Sequence, residues 1–246
     1  DWVDRENRWH ERFEAKSADL GDQGCDQTGP FIFELGDIRS LLANWGYVQS
    51  AMSIRDPFRL MLDYTRAMMA FLLFNPSPKS IEIIGLGGGS LAKYCHRFLP
   101  ESSIRAVEID WEVIALADRF CIPPASNRFE IICDDGADFV VKDGGRADII
   151  LVDGFDNGGQ PSQLCSADFY RACRSRLNSN GILVVNLCGE HRKNLPIFNC
   201  LRDSFGDVVT VPAEAGMNLV VFARKGRSIR AERNHIVERA QTLQKN

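Results

Sequence analysis

The chain has 246 residues, 45% of them hydrophobic and 25% charged, with a formal net charge of −4. That length allows one sizeable core with a small appended unit, and the mild acidity excludes the basic stripe of a nucleic-acid binder. No apolar run reaches the roughly 18 residues of a membrane-spanning helix, so no membrane contact is expected. The eight cysteines include no C-x-x-C pair and no Cys/His cluster at zinc spacing, so no metal site is expected. The opening stretch is polar and charged, so no secretory signal is expected. Reduced thiols in a cytoplasmic protein are the expectation.

Residues 1–29 are polar and end among glycines, with a short helix expected over 2–16. Residues 31–35 and 46–49 read as two short strands around a turn. Residues 57–74 read as a helix, because Leu60, Met61, Tyr64, Met68, Phe71 and Leu72 fall at helical spacing and Asn75-Pro76 stops it. Together 30–75 make a small N-terminal unit of hairpin and helix.

From residue 79 strand and helix alternate. Strands are expected over 80–84, 103–109, 129–133, 147–152 and 181–187, with helices between them over 90–99, 111–120, 137–142 and 167–177. A helix over 195–205 then precedes two last strands, 207–211 and 218–223. This alternation predicts an α/β fold with a seven-stranded, mostly parallel sheet covered on both faces. The two adjacent final strands add an antiparallel edge, as in the class I methyltransferase variant of the Rossmann-like fold, here spanning 76–225. Residues 226–246 are charged and read as a terminal helix or tail.

The candidate chemistry lies at the carboxyl ends of these strands, where open α/β sheets bind ligands. Gly85, Gly87 and Gly88 lie in a turn between the first strand and its helix, where glycine lets a ligand approach the backbone. Glu108 ends the next strand, at the spacing expected of an acid that takes ribose hydroxyls. The pair Asp134-Asp135, before Gly136, can serve an adenine amino group or cap the following helix. Asp153 ends a very apolar strand and Asp156 follows three residues later. Two carboxylates so placed can converge on one cationic group, or simply form a solvated turn.

Taken in order, these motifs resemble the spermidine synthase (polyamine aminopropyltransferase) family. The set comprises the Gly-rich turn, Val107-Glu108-Ile109-Asp110, Asp134-Asp135-Gly136, Asp153-x-x-Asp156 and Phe169-Tyr170, with similarity over roughly 30–225. The resemblance implies transfer of an aminopropyl group from decarboxylated S-adenosylmethionine to putrescine or a similar amine, releasing methylthioadenosine. Decarboxylated S-adenosylmethionine is then a co-substrate, and no prosthetic group is implied. The donor would be held by Gln49, Gly85, Gly87, Gly88, Glu108 on the ribose, Asp135 on the adenine, Gly136 and Asp153. The catalytic set would be Asp153 as base, Tyr64, and Asp156 on substrate ammonium charge. A homodimer is also implied.

Several features depart from the family pattern, among them three single positions. Gly88 stands where the family has an aspartate for the donor's amine, and Thr65 and Arg66 stand where it has His or Gln and then Glu. An S-adenosylmethionine-dependent methyltransferase is therefore a second reading, motivated by Gly88. A non-catalytic adenosyl-ligand-binding homologue is a third, motivated by the Arg66 cation near an amine site.

Overall fold

The computed structural model describes residues 29–44, 47–142, 144–156, 159–189, 191–213 and 218–226, with 228, 229, 236, 239 and 240. The helix expected over 2–16 lies outside the described residues, as do Gly46 and most of 226–246.

The N-terminal unit is a three-stranded antiparallel meander, β1 (Phe31–Leu35), β2 (Ile38–Asn44) and β3 (Tyr47–Ser53). The expected hairpin thus lacks its middle strand. The segment Arg39-Ser40-Leu41-Leu42-Ala43 contains no β-branched or aromatic residue and carries little strand propensity of its own. Its pairing on both sides, Phe33 with Ser40 and Ser40 with Ala51, makes it a strand.

The helix expected over 57–74 is shorter. Only α1 (Asp63–Met68) is α-helical, and Met69–Leu73 tightens to a 3₁₀ helix. Leu62 is extended at the start of α1. Ahead of it, the Arg66 guanidinium donates Nη1 to the carbonyls of Leu60 and Met61, at 3.0 and 3.3 Å, and so satisfies an irregular backbone.

The main sheet has seven strands: β4 (Ser80–Ile84), β5 (Ser103–Glu108), β6 (Phe129–Cys133), β7 (Ala147–Val152), β8 (Leu177–Cys188), β9 (Val208–Pro212) and β10 (Asn218–Arg224). Their order is β6-β5-β4-β7-β8-β10-β9. β6 to β8 pair in parallel, and β10 runs antiparallel to both β8 and β9. The helices are α2 (Ser90–Phe98), α3 (Trp111–Ala115), α4 (Gly136–Val141), α5 (Ala167–Arg176) and α6 (His191–Phe205).

Strand alternation divides the core into two layers. Ile83, Ile149, Leu151, Val184 and Val220 face Met68, Phe71 and Leu91, on the side of α1 and α2. Ile84, Ile150, Val152, Val185 and Val221 face Phe139, Tyr170 and Leu201, on the side of α4, α5 and α6. A charged residue, Glu82, is also fully buried on β4 and paired with Arg176 at 2.6 Å and with Arg105.

Strand order reverses between β4 and β7. Chain order proceeds outward from β4 through β5 to β6 on one side, and through β7 to β8 on the other. The crevice at such a reversal is where this architecture binds ligands.

Candidate active site

The turn after β4 sits in that crevice. Gly85 has φ +94°, and a Cβ placed there would come within 2.2 Å of the backbone oxygen of Asp153. Only glycine lets the turn after β4 pass so close to the residue that ends β7. Gly88 is closed in a different way. A Cβ there would meet Ser50 Oγ at 2.6 Å and Phe120 at 3.0 Å, so β3 and Phe120 occupy the space that a side chain at this position would need. Ser50 in turn lies 3.3 Å from Ser90 Oγ at the start of α2.

Glu108 reaches into the same turn. Its Oε2 accepts from the amides of Leu86 (2.9 Å) and Gly87 (3.3 Å), and its Oε1 from the amide of Asp110 (3.1 Å). Three of the roughly four acceptor positions of a carboxylate are thereby filled. Gly87 has φ +50° and lies in the turn. Gln49 is half-buried on β3.

Asp135 caps α4, its Oδ1 accepting from the amide of Ala137 at 2.7 Å, while Oδ2 lies 3.5 Å from Gln163 Nε2. Capping is one of the two roles weighed for this pair. Asp134 is bound instead to Lys142 at 2.5 Å, and that hydrogen bond holds its carboxyl below the usual range. Gly136, the first residue of α4, is buried where a Cβ would meet Ile84 at 2.3 Å.

Asp153 is the hub. Its Oδ2 accepts from the Tyr64 hydroxyl at 3.2 Å and its Oδ1 from Asn186 Nδ2 at 2.8 Å. Asn186 Oδ1 accepts in turn from Asn218 Nδ2 at 2.9 Å. Periodicity explains the convergence. Asp153 continues the alternation of Ile149 and Leu151, and Asn186 that of Ile182 and Val184. All therefore lie on the layer that α1 covers. Burial pushes the Asp153 carboxyl up to about 6, against the lowering by its Asn186 and Tyr64 hydrogen bonds. Burial, followed by the Asp153 charge, pushes the Tyr64 phenol well above its ordinary value. Tyr64 therefore remains a donor at neutral pH.

Asp156 lies apart from this buried end of the strand. It is exposed, on a turn closed by backbone hydrogen bonds with Gly159 at 2.8 and 3.2 Å. Two site residues, Asn186 and Asn218, escaped sequence reasoning. The available signal was the single amide in the apolar run Ile182-Leu183-Val184-Val185-Asn186-Leu187.

The spermine/spermidine synthase domain family matches residues 61–208. A polyamine aminopropyltransferase of Chromobacterium violaceum is 42% identical over 194 residues, covering 78% of this chain and 74% of that protein. A probable spermidine synthase from Corynebacterium glutamicum superposes with TM-score 0.69 at 22% identity, over 80% of this chain and 77% of that one. A spermidine synthase in complex with the transition-state analogue AdoDATO superposes with TM-score 0.64 at 23% identity, over 80% of this chain and 70% of that one. With the family match spanning the Gly-rich turn and the loop after β7, the chain belongs to the spermine/spermidine synthase family.

Proposed function

We propose that this protein is an aminopropyltransferase that moves the aminopropyl group of decarboxylated S-adenosylmethionine onto putrescine or a related amine. The observation that carries this reading is Asp153. It is a carboxylate at the end of β7, beside the Gly-rich turn, held by Tyr64 and Asn186.

On this reading Gly85, Gly87 and Gly88 carry the donor past the backbone. Glu108 takes a ribose hydroxyl with its remaining acceptor position. Asp135 exchanges its weak Gln163 contact for the adenine amino group. Gly136 keeps that floor flat, and Gln49 completes the donor side from β3.

The chemistry needs a neutral amine. A free alkylammonium titrates near 10.4, about 4 units above Asp153, so proton transfer between them in water is uphill by roughly 6 kcal/mol. Desolvation in the crevice and the adjacent sulfonium charge both lower the amine's pKa and close that gap. At neutral pH Asp153 is mostly ionised and can take the ammonium proton, after which the freed nitrogen lone pair attacks. The C–N bond forms as the C–S bond breaks, and the sulfonium's charge is discharged as neutral methylthioadenosine leaves. Asp156, on the same loop, holds the distal ammonium of a diamine. Arg66 does not oppose this, because its guanidinium is anchored on the carbonyls of Leu60 and Met61.

The reading also carries a small-molecule amine as partner, a cytoplasmic location and, from the family resemblance alone, a homodimer. Methyl transfer from S-adenosylmethionine is the less supported alternative. The deciding assay mixes the protein with decarboxylated S-adenosylmethionine and putrescine, cadaverine, spermidine or diaminopropane, and detects products by mass spectrometry. Enzyme-dependent methylthioadenosine with one aminopropylated amine is expected, and Asp153→Asn should abolish both. Methyl transfer from S-adenosylmethionine with no methylthioadenosine would replace the reading.

A further inference from the structure

We infer that Asn186, itself locked by Asn218, is a positioning residue that holds Asp153 in its ionised, proton-accepting state. This inference rests on the reading of Asp153 as the base.

The argument begins with an anomaly. Asn186 is 1% exposed, within a strand whose neighbouring positions are apolar and buried. An aliphatic residue would pack there with no polar group to satisfy, and a buried amide without partners costs several kcal/mol. Here both ends of the amide are satisfied, one by Asp153 at 2.8 Å and one by Asn218 at 2.9 Å.

The polarity of both contacts suits an ionised carboxylate. An ionised carboxylate only accepts, so Asn186 must present its NH₂ to Asp153. Its carbonyl then faces Asn218, which must present its own NH₂. Strand register holds this second contact. Asn186 pairs with Val220 across β8 and β10, and Asn218 is the same-face residue two positions before Val220. Such diagonal neighbours lie within side-chain reach. The chain Asn218–Asn186–Asp153 is therefore directional, and its orientation matches an ionised carboxylate.

Among the described residues, the groups facing Asp153 from the surrounding elements are few. From α1 come the Tyr64 hydroxyl and, beyond it, the buried carboxylate of Asp63, which accepts from the Tyr64 amide at 2.7 Å. From the end of β8 comes the Cys188 thiol, which burial raises and the Asp153 charge raises further. Neither Asp63 nor Cys188 favours an ionised Asp153. The hydrogen bonds of Asn186 and Tyr64 do.

The test reads the protonation of Asp153 with and without turnover. Carboxyl ¹³C NMR of the ligand-free protein follows its titration, with Asp153→Asn assigning the signal. Asn186→Asp keeps the shape but puts a second carboxylate against the first, and two such groups resist joint ionisation. The midpoint should rise by at least about one unit, and the acid limb of kcat/KM should move with it, giving about a fivefold loss at the old midpoint. The KM for the donor should be unchanged. Asn186→Ala and Asn218→Ala should move the midpoint in the same direction, the second less.

A residue that only ties β8 to β10 would lower the melting temperature and leave the Asp153 midpoint in place. That outcome overturns the inference. The NMR arm needs no substrate, so it decides the matter even if no aminopropyl transfer is found. If Asp153→Asn is inactive while Asn186→Asp keeps the wild-type pH profile, the base assignment stands and the positioning role falls.

Discussion

Tyr64 and Asp153, 89 positions apart in the chain, meet through a 3.2 Å hydrogen bond at the carboxyl end of β7. The phenol stays protonated because burial and the Asp153 charge both oppose its ionisation. It can steady the carboxylate as a donor but cannot act as the base. Asp153 titrates near 6 and must be ionised to accept a proton, so kcat/KM should fall as pH drops through about 6. Tyr64→Phe removes one of the two hydrogen bonds that lower this pKa. Its acid limb should shift upward by about one to two units, the worth of one hydrogen bond to a charged group, and its rate at pH 7 should fall about two- to tenfold. A pH–rate profile of wild type against Tyr64→Phe checks both. An unshifted limb would remove Tyr64 from the base's immediate support.

Gly85→Ala should be costly for a reason local to the backbone. The residue has φ +94°, and the new Cβ would lie 2.2 Å from the Asp153 carbonyl oxygen and 2.7 Å from its carbon. Those atoms belong to the main chain at the crevice and cannot rotate away. A loss of about 2 kcal/mol or more in stability is expected, together with displacement of Asp153. Gly87→Ala is the control. Its φ is +50°, but the nearest atom is Ser50 Cβ at 3.8 Å. It should lose only about 1 kcal/mol to the left-handed backbone. Thermal unfolding and turnover of both variants, measured side by side, separate the clash from the dihedral cost.

The ease of reading these features from sequence tracks how local their causes are. The strands expected at 129–133 and 147–152 coincide with β6 and β7, β7 because a strand buried on both faces is a nearly continuous apolar run. Gly85, Glu108 and Asp153 were legible because turn, spacing and strand end are neighbours in sequence. β2 was not legible, since its strand character comes from partners on both sides rather than from its own residues. The helix expected over 57–74 was overextended because helical spacing persists through residues whose backbone is irregular and tied down by Arg66. Asn186 and Asn218 belong to a chain of contacts that exists only once β8 and β10 pair. A lone amide in an apolar strand was the trace it left, and nothing nearby in sequence says what it holds.

Glu82 makes a separate claim about the fold. It is 1% exposed and is held by Arg176 Nε at 2.6 Å and by Arg105. Arg176 also donates to the Lys142 carbonyl at 2.8 Å and stacks 4.2 Å over the Phe139 ring. Arg176→Met keeps bulk but leaves a buried carboxylate short of a partner, which costs about 3 kcal/mol or more. Glu82→Leu with Arg176→Met should recover much of that loss, because replacing a buried pair by apolar groups is often neutral. Denaturant unfolding of the single and double variants tests this. Additive losses would mean that the two side chains act independently.

Lys93 is the buried cation whose effect on stability has a distinctive pH signature. It is 1% exposed on α2, with Nζ donating to the Phe120 carbonyl at 2.8 Å. Burial lowers it from 10.5 to about 8, with the nearby Cys121 opposing and Arg39 reinforcing. The folded state therefore releases this proton about 2.5 units before the unfolded state does. Between pH 8 and 10.5 the unfolded chain binds more protons, so stability rises with pH over that window. This one group contributes about 3 kcal/mol to the rise. The buried thiols pull the other way: burial raises Cys95 to about 12 and raises Cys173 as well, which removes stability as they ionise on unfolding above pH 9. The informative quantity is therefore the difference between wild type and Lys93→Met. Lys93→Met should be the more stable protein at pH 7, less the small loss of the Phe120 hydrogen bond, and its advantage should disappear by about pH 10.5. Urea unfolding of both proteins at half-unit steps from pH 7 to 10.5 measures it. A difference that stays flat across the window would mean that Lys93 keeps an ordinary pKa in the folded protein, despite its burial beneath the turn that α2 begins.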